Sequence, residues 1–272
     1  MTSTVRSNPY PCLHSRSHAL DLSARRHTLR HMASASADVA PTIAEPSPSQ
    51  RAAIESQPGP LLVLAGPGAG KTYCLIERIR FLIERHDFDP GRICAFTFTN
   101  KAAGEISHRL EGRLGKDRAE KIQRGTIHAF CAELLREFGQ NVSLDPGFGI
   151  ADEEYQTSVM RRLGQYKWHS AILKNFSAHR FRNKALQHND LVLFDKYEQF
   201  LAKYNVLDFD SLVIKAAELL DRPADAAVIR SRWDVVLVDE FQDLNPVQYR
   251  VVRALAREAV ACGGHLVVYD QV

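Results

Sequence analysis

The chain has 272 residues, 25% of them charged and 45% hydrophobic, and a formal net charge of +3 at pH 7. That length holds one large domain or two small ones with a proper core, and so mild a basic balance neither demands nor opposes a nucleic acid partner. No apolar run approaches the roughly 20 residues that span a bilayer, and Cys12, Cys74, Cys94, Cys131 and Cys262 are scattered, odd in number and without a C-x-x-C pair, which argues against a disulfide framework or a zinc site.

Residues 1–40 are rich in Ser, Arg, His and Ala, and Asp21 is the only acid before Asp38. Arg6, Arg16, Arg25, Arg26 and Arg30, set among hydroxyl residues, match the composition of a mitochondrial or chloroplast transit peptide. A disordered tail, or translation that starts at Met32, accounts for the same residues. The expected address is intracellular and reducing, an organelle if the tail is a transit peptide and the nucleus as the alternative. Pro41 to Pro48 marks a linker, and order is expected from Ser49.

Leu61-Leu62-Val63-Leu64 then reads as an apolar strand running into Ala65-Gly66-Pro67-Gly68-Ala69-Gly70-Lys71-Thr72, with a helical pattern from Tyr73 to Arg85. This is a nucleoside triphosphate cradle. Small residues let backbone N–H groups close around phosphate oxygens at the positive end of the following helix. Lys71 is expected to reach the β- and γ-phosphates and the Thr72 hydroxyl to hold Mg²⁺. Ala65 stands where the strict pattern begins with Gly, so the loop is a relaxed version of the motif.

Farther on, Arg92 to Phe98 reads as a buried strand behind the Asp89-Pro90-Gly91 turn, followed by helices over Lys101–Leu114 and Thr126–Phe138. Asp152 to Tyr204 reads as several helices, and Ser211 to Leu220 as another. The apolar run Asp234 to Val238 is a strand, Pro246 to Ala256 a helix, and His265 to Tyr269 a last strand. Such alternation predicts an α/β fold with a parallel sheet covered on both faces and the Asp152–Tyr204 helices as an insertion. The strand ending at Val238 delivers Asp239 and Glu240 to the edge where open α/β sheets bind ligands. Asp239 is expected to share Mg²⁺ with Thr72, and Glu240 to deprotonate the water that attacks the γ-phosphate.

Five segments, in order and at the usual spacing, resemble the superfamily 1 DNA helicases of the UvrD/Rep type. They are Ala65–Thr72, Ala95–Ala103, Gly125-Thr126-Ile127-His128-Ala129-Phe130, Leu207-Asp208-Phe209-Asp210-Ser211-Leu212 and Val238-Asp239-Glu240-Phe241-Gln242-Asp243. The resemblance covers residues 49–270. It implies a RecA-like P-loop NTPase domain in two parts, 49–150 and 207–272, around a 1B-like helical subdomain at 151–206, with residues 1–48 as tail and linker.

The implied activity is ATP hydrolysis, with ATP and Mg²⁺ as cofactors, driving 3′-to-5′ translocation on single-stranded DNA and unwinding at duplex junctions. Gln50 falls where the family's glutamine reads the adenine edge, although a polar residue at a helix start looks the same. Phe98, Thr99 and Asn100, with Thr126, His128 and Phe130, fall in segments that contact single-stranded DNA, where hydroxyl, amide and imidazole groups bond phosphates and aromatic rings stack bases. Core packing is the alternative for Phe98 and Phe130. Gln242 resembles the glutamine that links nucleotide state to the DNA-binding loops.

Asp208 and Asp210, flanking Phe209 before an apolar helix, read as helix-capping residues. Arg161, Arg162, Lys167, Lys174, Arg180, Arg182 and Lys184, interleaved with Tyr166, Trp168 and Phe176, suit a DNA backbone track or an ordinary solvated helical face.

Two departures from the family pattern matter. Tyr73 stands where Arg is usual, and Tyr269 replaces the glycine of a Gly-Asp-x-x-Gln segment that senses the γ-phosphate. The sequence stops at Val272, so the second RecA-like domain is expected to be missing, and with it arginines that accelerate phosphoryl transfer by about 10³ to 10⁵. The expectation is therefore either the N-terminal half of a helicase or a nucleotide- and DNA-binding module without helicase activity of its own.

Overall fold

The computed structural model describes residues 45–165, 167–261 and 265–270, with side chains as far as Ala256. The arginine-bearing tail, Cys12, Tyr166, Cys262 and Gln271 lie outside the described residues.

Helix α1 (Pro48–Ile54) opens the fold with a capping box: the Ser47 hydroxyl accepts from Gln50 N–H while the Gln50 side chain accepts from Ser47 N–H. Strand β1 (Leu61–Leu64) leads through the loop into α2 (Lys71–His86), which buries Leu75, Ile79, Leu82 and Ile83 along one stripe. Strand β2 (Ile93–Thr97) is buried at every residue, as befits a central parallel strand. Helix α3 (Asn100–Leu114), capped by Thr99, and the short α4 (Lys116–Lys121) follow.

Strand β3 (Gln123–Thr126) and helix α5 (Ile127–Phe138) come next. After strand β4 (Gly149–Ala151) the chain makes α6 (Glu153–Arg162), α7 (His169–Arg182) and α8 (His188–Lys203), and returns through strand β5 (Val206–Asp208). Helices α9 (Phe209–Leu220) and α10 (Pro223–Arg230), strand β6 (Val235–Val238), helix α11 (Pro246–Ala261) and strand β7 (His265–Asp270) complete it.

The main sheet has five parallel strands in the order β1-β7-β6-β2-β3. Side-chain alternation along β2 and β6 divides the core. Cys94, Phe96, Val236 and Val238 face α5, α9 and α11, whereas Ile93, Ala95, Val235 and Leu237 face α2 and α3. The result is the expected parallel sheet between two helical layers. A bidentate ion pair from Arg92 to Asp234, with both contacts at 2.6 Å, ties the starts of β2 and β6.

Helices α6 to α8 pack around their own apolar cluster of Val159, Met160, Phe176, Tyr197 and Leu201. Their entry and exit strands, β4 and β5, pair in parallel, with Ile150 opposite Leu207. The alternation reading misses this three-residue clasp, because strands so short carry no periodic signal. It also misses β3, whose polar Gln-Arg-Gly-Thr sequence becomes strand through its register with β2, Cys94 to Gln123.

Candidate nucleotide and DNA site

Strands β2, β3 and β6 end side by side. Thr97 lies opposite Thr126 and Phe96 opposite Val238, so the segments that follow them share the carboxyl edge of the sheet.

At the phosphate loop, Gly68 and Gly70 have φ of 76° and 82°, left-handed geometry that glycine adopts without strain. A Cβ on Gly70 would also lie 2.8 Å from Gln50 Nε2, so a side chain there would displace the Gln50 amide. The start of α2 has no side-chain cap and no acid in its first turn, which leaves its N–H groups and dipole directed at the loop. Lys71 is buried at that start. The loop residues Ala65, Gly66, Pro67, Gly68, Ala69 and Gly70 thus form a backbone-lined turn, and Gln50 closes on it by donating from Nε2 to the Ala69 carbonyl at 2.9 Å.

Asp239 directly follows β6, is only 5% exposed, and donates its N–H to the Phe96 carbonyl at 2.9 Å. Burial, then the neighbouring Glu240 charge, pushes its carboxyl above the ordinary value, against the opposing pull of the Glu240 N–H, the Lys71 charge and a hydrogen bond from Thr72. Lys71 and Thr72 therefore meet Asp239 across the sheet edge. A hydroxyl beside a buried, under-compensated carboxylate is a hard oxygen pair that fits Mg²⁺. Glu240 has φ 53° and ψ 49°, left-handed for a non-glycine residue, and its carboxylate accepts from Gln242 Nε2 at 2.7 Å.

The six residues expected to contact DNA divide into four groups. Phe98 is 45% exposed, and Asn100 is exposed at the first position of α3. Thr99 and Thr126 cap α3 and α5, their hydroxyls accepting from Ala102 N–H and Ala129 N–H, both at 3.2 Å. Phe130 is a correction. It is 4% exposed and packs edge-on to Phe96 and Trp233, at 4.8 and 5.3 Å between ring centroids, so the core holds it and no base can stack on it. His128 is partly buried, which lowers its pKa.

Phe209, at the first turn of α9, meets the His128 ring at 5.5 Å while 42% exposed. Sequence reasoning read only the acids beside it; the available signal was an aromatic residue between two acids at a helix start.

The basic track through α6 to α8 also needs correction. Trp168 and six of its basic residues, Arg161, Arg162, Lys167, Lys174, Arg182 and Lys184, are exposed, but Phe176 is core. Arg180 turns inward to Glu198, Asp208 and Asp210, its side chain 7% exposed. Asp208 caps α9 as expected, accepting from Ser211 N–H at 2.9 Å, and also accepts from Tyr197 Oη at 3.0 Å. Burial pushes the Asp208 carboxyl up, but the Arg180 charge and the hydrogen bonds from Ser211 and Arg180 hold it below the ordinary value. Asp210 is not a cap; burial raises its carboxyl despite Arg180.

The family model for the UvrD/REP helicase N-terminal domain matches residues 47–270. Similar relatives include the ATP-dependent DNA helicase PcrA of Staphylococcus aureus, 31% identical over 228 residues, which make up 76% of this chain and 31% of the relative. The ATP-dependent DNA helicase Rep of Buchnera aphidicola is 33% identical over 231 residues, 77% of this chain and 35% of the relative. PcrA of Staphylococcus epidermidis is 31% identical over 230 residues, with shares of 77% and 31%. The chain thus matches these curated relatives over about a third of their length.

Proposed function

Because this chain belongs to the UvrD/Rep helicase family, we propose that it binds MgATP at Ala65–Thr72 and Asp239, and single-stranded DNA along the neighbouring strand ends. The observation that carries the reading is the meeting of Lys71 and Thr72 with the raised-pKa Asp239 across the carboxyl edge of the sheet. Bound between Thr72 and Asp239, Mg²⁺ would supply charge neutralisation at the β- and γ-phosphate oxygens.

The chain's own groups do the rest. The loop N–H groups and Lys71 bind and orient the triphosphate, and Gln50 reads the adenine edge. Glu240 takes the proton of the attacking water, with Gln242 holding its carboxylate. Phe98, Asn100, Thr99, Thr126 and His128 form the DNA wall, and Phe209 joins them by its contact with His128. In the whole helicase we propose that hydrolysis drives 3′-to-5′ movement and opening of duplex junctions, with MgATP closed between this wall and a second RecA-like domain.

A narrower reading is a nucleotide- and DNA-binding module that opens no duplex alone. It is favoured because the described site residues that follow β1, β2, β3 and β6 all lie along one edge of a single sheet.

The test is titration of the purified chain with a fluorescent ATP analogue in Mg²⁺. Lys71→Ala is expected to weaken binding by at least about tenfold, the loss of a charge-assisted contact to phosphate. Unchanged affinity would overturn the site. On forked DNA with a 3′ or a 5′ single-stranded tail, robust opening by this chain would defeat the narrower reading, and a preference for the 5′ tail would defeat the polarity.

A further inference from the structure

Arg78 lies in the first half of α2, about two turns beyond the start of that helix at Lys71, and is fully buried at 0% exposure. Its Nη1 donates to the Ile54 carbonyl at 2.8 Å and to the Ser56 carbonyl, and its Nη2 to the Gln57 carbonyl at 3.4 Å. Its guanidinium carbon is 5.7 Å from the centre of the Phe81 ring. Ile54 ends α1, and Ser56 and Gln57 lie just past it. The Ile54 carbonyl is one that a helix end leaves without an intrahelical donor, at the negative pole of its dipole, and the other two belong to the segment that leaves the helix.

The other end of α1 is also pinned. Gln50 Nε2 donates to the Ala69 carbonyl in the phosphate loop, and Gln50 Oε1 accepts from Ser47 N–H. The short helix is therefore suspended between the loop and the helix that the loop initiates. One turn of α1 separates Gln50 from Ile54, the first of the three residues whose carbonyls Arg78 grips.

A glutamine amide tells adenine from guanine by geometry. Adenine offers a donor beside an acceptor, which the amide matches with its oxygen and nitrogen, whereas guanine offers two acceptors. That match tolerates only a few tenths of an ångström before the hydrogen bonds fail.

We infer that Arg78 is a positioning residue for base selection: by clamping the end of α1 to α2 it fixes where the Gln50 amide meets the nucleobase, without touching the nucleotide. The inference rests on the proposed role of Gln50 as the adenine reader, and the test separates the two. A buried cation here, rather than an apolar side chain, gives α1 one fixed seat, because three carbonyls converge on a planar, forked donor.

The full chain and its Gln50→Ala, Arg78→Lys and Arg78→Met variants are titrated in Mg²⁺ with fluorescent ATP and GTP analogues, and with inorganic tripolyphosphate as competitor. All titrations are made well below the lowest melting temperature of the set. The parent is expected to prefer ATP, and Gln50→Ala to lose that preference. Arg78→Met is expected to cut the ATP-to-GTP affinity ratio by about tenfold, the worth of one good hydrogen bond, while tripolyphosphate affinity stays within twofold (roughly the scatter of such measurements). Arg78→Lys is expected to fall between. A normal ratio in Arg78→Met beside a lost ratio in Gln50→Ala overturns the inference and leaves Arg78 purely structural. A normal ratio in Gln50→Ala overturns the reading of Gln50, and the inference with it. If Arg78→Met does not fold, Arg78→Lys decides on the same criterion, an unchanged ratio overturning the inference.

Discussion

Two aspartates mark the ends of two parallel strands in this chain, Asp208 closing β5 and Asp239 following β6, and both are almost fully buried beside a basic side chain. Their carboxyls are displaced in opposite directions. Asp208 pays the cost of burial but receives Arg180, the Ser211 N–H and the Tyr197 hydroxyl, and it ionises more readily than an ordinary carboxylic acid. Asp239 receives Thr72, the Glu240 N–H and the more remote Lys71, which do not offset burial and the Glu240 charge. A completed ion cluster holds helices together; an incomplete one keeps an appetite for a cation, which is what a metal-nucleotide site requires.

The contrast can be broken most forcefully at Arg180. Arg180→Met leaves Asp208 and Glu198 facing each other without their cation, and is expected to lower stability by about 3–5 kcal/mol in urea denaturation. A change below about 1 kcal/mol, the usual worth of an exposed pair, would show that the cluster is solvated.

At Asp239 the neutral variant should act with the opposite sign. Its raised pKa means that the native state holds the proton more tightly, so stability falls as pH rises from the ordinary value of 3.8 through the raised one, and stays reduced at neutral pH. Asp239→Asn is accordingly expected to raise the stability without nucleotide by about 0.5–2 kcal/mol, and to abolish Mg²⁺-dependent ATP binding. The gain should vanish below pH 3.8. Asp208 carries the reverse dependence, its contribution present above 3.8 and lost as pH falls through its depressed value.

The smallest expected effect belongs to His128. Its pKa lies below 6.5 because of burial, so stability is expected to decline as pH drops from 6.5 through the depressed value, where the unfolded chain takes the proton first. Thermal melts of the parent and His128→Gln over that interval should differ in slope; identical slopes would place the ring in water.

The proposed nucleotide wall was readable in the sequence because its pattern is local. Strand, glycine turn, Lys71 and Thr72 are contiguous, and Asp239-Glu240 terminates an apolar run, so residue type and position state the role together. The helices α6 to α8 were legible as helices but not as surfaces. Whether Arg180 or Arg182 faces water depends on where α8 and β5 bring Glu198 and Asp208, which no pattern within α7 records. Phe98 and Phe130 raise the same difficulty. Both follow parallel strands, but Phe98 stands on the loop before α3 while Phe130 sits one turn into α5, on the face that packs against Phe96 and Trp233. The contact of Gln50 with the loop, and Arg78 altogether, were hidden for a third reason, since their partners are backbone carbonyls, which every residue offers.

The pairing of β1 with β7 governs the order in which a ribosome could deliver a working site. Leu61 finds its ladder partner in Val267, so the strand that carries the phosphate loop emerges early and waits for nearly all of the described chain before its backbone is paired. Until then Leu61–Leu64 is a bare apolar edge, open to neighbouring nascent chains and to chaperones. The loop that would meet the phosphates is therefore among the first parts of the sheet to be synthesised, while the strand that carries it is among the last to be paired.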